Sequence, residues 1–540
     1  MTNNLEKQAR AFIDNHVAII APKYKEVTSS YFNASVSGKA EDYQISADKQ
    51  LELETIYTNK EEFEKVKSFI ESWEINDPLL KRELEMLFLS YKSRQIDKEK
   101  LAMMVSIQNT IDNKFATFRP KINDNEVTDN EIKNILTTST SSDEVKQARL
   151  ASKEVGTFVA PEVLEVVKLR NEVAYELGYK NYHEMSLLLD EQDPKDISEL
   201  FDELDDMTRD SFIKGKLKID KYLSNKFNIS IDDIMPRHYQ NSFFQEAPTI
   251  SSISLDKYYE NQDIVELSRK YYNSLNLPID DLISNSDLYE KPWKYQHAYC
   301  INIDRIWDIR VICNIKSNQY RMNTQLHEFG HAIYEKNIDP QDTPFLLHDA
   351  AHTFTTEAIA MMFGKFASNP QWIRDVLDIS EDEKNDISEA CFEELRLEQL
   401  VFSRRAQVMY RFEKAMYSNP NQDLNKLRRD IVEKYQMIKR PVNKDGADWA
   451  SKIHIASSPC YYHNYLLWEL LASQIYHHIV KDILKSSDYK FQSFYNKAEV
   501  GIYLKEKIFS PGRKYHRNTM IEWATGEKLT PKYYAQQFIG

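Results

Sequence analysis

His327 and His331 stand four residues apart with Glu328 directly after the first, inside the run Gln325-Leu326-His327-Glu328-Phe329-Gly330-His331-Ala332. On a helix, positions i and i+4 lie one above the other, so the two imidazoles aim at a single point and Glu328 sits to one side. Neutral imidazole suits zinc, and a catalytic zinc takes three protein ligands, leaving a fourth position for a water whose pKa falls to about 7. Glu328 is then the base beside that water, and the chemistry is metal-assisted hydrolysis. The competing interpretation is a buried helix with two satisfied histidines, because Leu326, Phe329, Ile333 and Tyr334 give the same segment an apolar stripe.

A third ligand has to come from elsewhere. Glu335 lies on the same helix, one turn or about 5.4 Å beyond His331, too far along the axis to close a compact tetrahedron. His348, Asp349 and His352 come shortly before Thr355-Thr356-Glu357-Ala358-Ile359-Ala360, which reads as a new helix with Glu357 in its first turn. A carboxylate from a second packed helix would complete a His-His-Glu site, so Glu357 is the choice; on spacing alone it stands level with His348 and His352 taken together.

The elements that must position these groups are mostly helices. Only 11 of 540 residues are glycine, and 29% are charged, a composition that favours long helices over turn-rich sheets. From Leu5, apolar residues recur at three and four through Tyr31, predicting a long helix bent at Pro22. A second helix starts at Pro78 behind Asp77 as cap, with Leu80, Leu84, Leu87, Phe88 and Tyr91 inward. The polar stretch Asn123 to Ser142 is the expected break between structural subunits. Helical spacing then runs from Val145 to Lys218, interrupted at Pro194, and Met235 to Ser254 reads as irregular. Arg310 to Ile315 alternates as a strand, placed so that a peptide could pair along an edge beside the metal helix.

The net charge of -14 argues against a nucleic-acid partner, and no apolar run approaches the ~20 residues needed to cross a bilayer. Cys300, Cys313, Cys391 and Cys460 lack CxxC spacing, so they are expected to be reduced and buried. The N-terminal residues carry no signal-peptide pattern, pointing to the cytoplasm, or to the periplasm or exterior if the given start is not native.

With these residues in view, the sequence resembles the angiotensin-converting enzyme family of zinc peptidyl-dipeptidases, as a bacterial-type member. His327-Glu328-Phe329-Gly330-His331 is similar to that family's HEMGH, and Glu357-Ala358-Ile359 to its zinc glutamate followed by Ala-Ile. Gln296-His297-Ala298 resembles its Cys-His-Ala, thirty residues before the first zinc histidine, and Asp308-Ile309-Arg310 its Asp-Phe-Arg. Lys452-Ile453-His454-Ile455-Ala456-Ser457-Ser458 looks like its Lys-Phe-His-Ile/Val-Pro-Ser-Ser, followed by Tyr461, Tyr462 and Tyr465. The run from Tyr461 to Glu469 also resembles relatives of thimet oligopeptidase.

The resemblance implies a mainly α, two-lobed fold with a deep central cleft and a small β-sheet beside the HExxH helix. It implies one catalytic domain over 1–540, with lid helices within about 1–110 and the zinc site and cleft within about 290–470. Zinc would be held by His327, His331 and Glu357, with Glu328 as base and His454 and Tyr465 donating to the oxyanion. Lys452 and Tyr462, with His238 or Gln240, would hold a free peptide carboxylate, and His297 with the backbone of Ala298 would grip the chain. Release of C-terminal dipeptides is the expected activity. Single-residue release, internal cutting, and zinc-dependent peptide binding without catalysis are the alternatives. The sequence departs from the family in several places: Asn464 replaces an arginine that binds chloride, which makes chloride dependence doubtful, Met361 replaces a carboxylate behind one histidine, and Gln296 replaces a disulfide cysteine.

Overall fold

The computed structural model describes residues 4–250, 253–441 and 446–539, and it is mainly helical. The long N-terminal helix spans Asn4–Ser37 with Pro22 inside it. The helix Pro78–Lys92 begins as its sequence predicts, because the Asp77 carboxylate accepts from the backbone N–H groups of Leu79 and Leu80 at 2.9 and 3.3 Å. Helices Ser142–Glu176, Tyr182–Leu189 and Pro194–Phe227 follow, the last starting on Pro194 as its first residue. Within 235–254 the described residues form only the short turn Pro236–His238; 251 and 252 lie outside the described residues.

The chain divides into two compact units. The first comprises Met1–Gln95, Ile253–Cys391 and Trp468–Tyr533, and the second Ile96–Ser252, Phe392–Leu467 and Tyr534–Gly540. The first crossover therefore falls at 95/96 and not in the polar stretch 123–142. That stretch holds a two-residue hairpin, β1 (Lys121–Ile122) with β2 (Asn125–Glu126), and the helix Asp129–Thr138. Ile132 and Leu136 of that helix are buried in the second unit's core with Val145, Phe212, Ile219, Leu223, Leu397 and Leu400, so polarity there marks a solvated face and not a boundary. The first unit has its own core, in which Ala9, Ile13 and Ile20 pack on Val66, Phe69, Leu80, Leu84, Leu87 and Tyr91. The helices expected as a lid are split: those through Lys92 belong to the first unit, and Lys98–Thr117 to the second.

The sheet beside the metal helix is a two-stranded antiparallel pair in the first unit, β3 (Tyr299–Asn302) with β4 (Ile309–Ile312), in register Tyr299 to Ile312 and Asn302 to Ile309. The strand expected to run to Ile315 leaves the pair after Ile312, because the N–H groups of Cys313 and Ile315 donate to the carbonyls of Asp287 and Leu288 at 3.0 Å each. None of the four cysteines is in a disulfide; Cys313 and Cys460 are buried as expected, whereas Cys300 and Cys391 are half-buried. Among the described residues no helix is long and apolar enough to cross a membrane.

Candidate active site

The HExxH motif lies on the helix Gln319–Lys336, capped by Asn318, whose side chain accepts from Arg321 N–H at 2.8 Å. The Tyr272 hydroxyl donates to the Leu326 carbonyl at 2.6 Å and holds the helix at the turn that carries His327. The second helix is Thr353–Gly364, and its cap is His352, whose Nδ1 accepts from Phe354 N–H at 3.1 Å. His352 is thereby spent on starting the helix that carries Glu357. The two helices meet at Gly330: a Cβ there would lie 2.9 Å from the Ala360 Cα, so only glycine allows this approach.

That approach brings three donors from two helices to one point. His327 Nε2 and His331 Nε2 are 3.2 Å apart, and Glu357 Oε2 lies 3.6 Å from the first and 3.7 Å from the second. Ligands about 2.0–2.1 Å from a tetrahedral zinc stand about 3.3 Å from one another, so the triangle has the size a bound cation requires. Among the described residues this is the one cluster of such donors. Thr356 supplies what the sequence left unassigned for one histidine: its hydroxyl is 2.7 Å from His331 Nδ1, which turns Nε2 toward the metal point.

Burial shapes the protonation of the group. It pushes the His327 imidazolium down to about 4, and burial with the neighbouring His327 drives His331 well below the usual range, so both rings are neutral ligands near pH 7. Glu328 is pushed up to about 8 by burial and by the charge of Glu357, against the backbone N–H of Cys300 in β3, which hydrogen-bonds its carboxylate. Burial raises Glu357 to about 7. Two carboxylates crowded and raised in this way are what a divalent cation stabilises.

His327, Glu328, His331 and Glu357 open onto a cavity of about 460 Å³ within the first unit. Ala298 and the length of β3 line it, together with Tyr24, Glu335, His348 and Asp349. Glu335 accepts from Asn302 Nδ2 at 3.1 Å and is pushed up to about 7 by burial and Asp349; it belongs to the wall and not to the donor triangle. Asp349 faces Arg305 and Arg513 at 3.7 and 3.5 Å. His297 is exposed and lies against Tyr295 at a tilt of 53°, with ring centres 5.4 Å apart.

The remaining expected residues fall in the second unit. His454, Tyr462 and Tyr465 form one aromatic group, with ring centres at 5.3 Å (His454 to Tyr462), 6.3 Å (His454 to Tyr465) and 5.0 Å (Tyr462 to Tyr465). Burial, then Lys452 and Arg405, lower His454 to about 4, leaving a neutral ring whose buried Nδ1 has no hydrogen-bond partner among the described residues. Lys452 Nζ lies 5.7 Å from the Tyr462 ring centre and donates to Gln245 Oε1 at 2.8 Å. His238 and Gln240 are engaged elsewhere. His238 is fully buried, takes the Met235 N–H on Nδ1 at 2.9 Å and pairs with the Ser142 hydroxyl at 3.0 Å, while Gln240 donates to the Thr137 carbonyl at 3.3 Å. The glutamine that meets Lys452 is Gln245, five residues on in an irregular loop where no periodicity fixes which side chain turns inward. Asn464 accepts from Gln192 at 2.5 Å.

Comparison with known proteins follows the same lines. A family model described as Angiotensin-converting enzyme, a peptidase family, matches residues 3–533. Carboxypeptidase 1 of Bacillus subtilis (strain 168) is 23% identical over 261 residues, 44% of this chain and 50% of that protein. Thermostable carboxypeptidase 1 of Pyrococcus furiosus is 23% identical over 254 residues, 43% of this chain and 50% of that protein. The match thus spans about half the length of these curated relatives. A family match running nearly end to end, over a helix pair that converges two histidines and a glutamate, leads to one statement: the chain belongs to the angiotensin-converting enzyme family of peptidases.

Proposed function

We propose that this protein is a zinc-dependent peptidase acting on short peptides from their C-terminal end and releasing dipeptides. The observation that carries the reading is the convergence of His327, His331 and Glu357 with Glu328 beside them on the same cavity wall. Zinc held by those three side chains would polarise a carbonyl and acidify water. Glu328, its carboxylate form favoured once a cation's charge offsets the burial, would take the proton from the attacking water and pass it to the leaving amine. His454 and Tyr465 supply N–H and O–H donors for the oxyanion, contributions worth a few kcal/mol each in such roles. Lys452 and Tyr462 hold the terminal carboxylate, with Gln245 in the part first expected of His238 or Gln240. His297 and the backbone of Ala298 bind the peptide along β3.

The names of the two curated relatives, both carboxypeptidases, favour single-residue release as the second reading. Mass spectrometry of products from one decapeptide, offered as free acid and as amide, separates the cases. Dipeptide release from the acid alone supports the first reading and single residues the second. Equal cutting of acid and amide would remove the carboxylate anchor from the reading and leave an internal-cutting enzyme. In parallel, Glu328→Gln should abolish hydrolysis while retaining bound zinc and peptide; full activity in that variant would end the assignment of the base.

A further inference from the structure

Beyond the donor triangle and Glu328, the cavity wall carries two more carboxylates, Glu335 and Asp349, and one guanidinium, Arg305. Their pairing is uneven. Asp349 takes both nearby cations, Arg305 at 3.7 Å and Arg513 at 3.5 Å. Those cations are held on that side by further contacts. Arg305 donates to the Phe345 carbonyl at 3.3 Å and lies 4.6 and 5.3 Å from the Tyr24 and Phe345 ring centres, while Arg513 donates to the Ala350 carbonyl at 3.2 Å. Glu335 has a single hydrogen bond, accepted by Oε2 from Asn302 Nδ2 at 3.1 Å, and among the described residues no cation stands within ion-pair distance of it. His348 is buried on the same wall, and neither of its ring nitrogens has a hydrogen-bond partner among the described residues. Burial and then Arg305 lower His348 to about 4, so the ring is neutral near pH 7 and keeps one nitrogen able to accept a hydrogen bond.

Water in the open cavity can solvate Glu335, but a bound peptide displaces that water. A carboxylate left there without a donor is then costly, whereas an ammonium or guanidinium group would satisfy it with a charge-assisted hydrogen bond. Burial and then Asp349 push the Glu335 carboxyl up, and an arriving cation works in the opposite direction. Two distances place the residue that would carry the cation. Glu335 lies one helical turn past His331, about 5.4 Å, and its partner Asn302 lies two residues along β3 from Cys300, whose N–H meets Glu328, roughly 6.6 Å at the rise of a strand. Both correspond to one or two peptide residues from the bond at the metal point. With the terminal carboxylate assigned to Lys452 in the second unit, the residues left for this cavity are those before the cut. Resting on that reading, we propose that Glu335, with His348 on the same wall, forms a cation subsite that selects peptides carrying an ammonium or guanidinium group within two residues before the bond that is cut. The group can be a Lys or Arg side chain, or the free amino terminus of a very short peptide.

The test uses the zinc-loaded full chain and N-acetylated free-acid peptides of one sequence, with Lys, Nε-acetyl-lysine or Glu at the first or at the second residue before the cut. A charged partner predicts kcat/KM about tenfold or more higher for Lys than for acetyl-lysine at one of the two positions, with Glu lowest. A peptide with only two residues before the cut, with its amino terminus free or acetylated, tests the terminal ammonium as the source. Glu335→Gln should bring the ratio of Lys to acetyl-lysine toward one, whereas a merely structural loss would lower both alike and keep the ratio. Calorimetric binding of the same peptides to zinc-loaded Glu328→Gln protein should show the same order without turnover. Equal handling of Lys and acetyl-lysine at both positions, together with equal handling of free and acetylated termini, would overturn the subsite and leave C-terminal release standing. Preference for Glu would overturn it in favour of Arg305. A Lys preference fixed relative to the cut, with acid and amide peptides cleaved equally, would remove the carboxylate anchor and keep the subsite. The substrate series on the parent protein decides the question even where Glu335→Gln fails to fold.

Discussion

Replacing Thr356 by valine isolates one hydrogen bond at the metal point. Valine has the shape and β-branching of threonine and removes only the oxygen 2.7 Å from His331 Nδ1. With that ring's Nε2 turned toward the metal, Nδ1 carries the proton, and the variant leaves a largely enclosed N–H without an acceptor. Such a group costs about 1–3 kcal/mol, and partners of this kind behind a metal-bound histidine are worth roughly 10–100-fold in metal affinity. Competition against a chelator of known zinc affinity should therefore show zinc binding weakened by about 10–100-fold, while Thr356→Ser, which keeps the oxygen, stays near the parent. Thermal unfolding of the metal-free proteins provides the control, since a general loss of packing would lower the midpoint without zinc as well. Zinc affinity in Thr356→Val within about threefold of the parent, with the fold intact, would refute the orienting role argued for this hydroxyl.

Gly330→Ala forces a Cβ to 2.9 Å from the Ala360 Cα and should cost about 1–3 kcal/mol of stability while loosening metal binding; unchanged melting and unchanged chelator competition would show that the helices part freely. KM for a free-acid peptide should rise as pH climbs through about 8, because Lys452 holds its charge below that pKa and loses it above, whereas the matching amide should show no such rise. Asp77→Ala removes the acceptor of two N–H groups and should lower stability by about 1 kcal/mol, with faster amide exchange at the start of Pro78–Lys92; parental exchange there would count against the cap.

Much of the local structure was legible because it rests on short-range rules. The pair His327/His331 is fixed by helical period, the start at Pro78 by the Asp77 carboxylate, and the restart at Pro194 by a residue that lacks an N–H. Resemblance to the family marked the group Lys452, His454, Tyr462 and Tyr465, which the fold gathers in its second unit. Local rules failed where the partner lies far along the chain. Polarity over 123–142 looked like a boundary, yet Ile132 and Leu136 are anchored by Phe212 and Leu397, contacts that no window of sequence reveals.

The sequence by itself determined that two imidazoles share one helix face with an acid to one side of them, since that follows from 3.6 residues per turn. Which of Glu357, His348 and His352 completes the donor set was decided only by tertiary structure. The Gly330–Ala360 approach sets Glu357 beside the imidazoles, while His352 is turned into a helix cap. The same holds for Thr356 behind His331 and Gln245 on Lys452. Each of these is a common residue type whose role comes from what is packed against it, and packing between distant segments has no period to read.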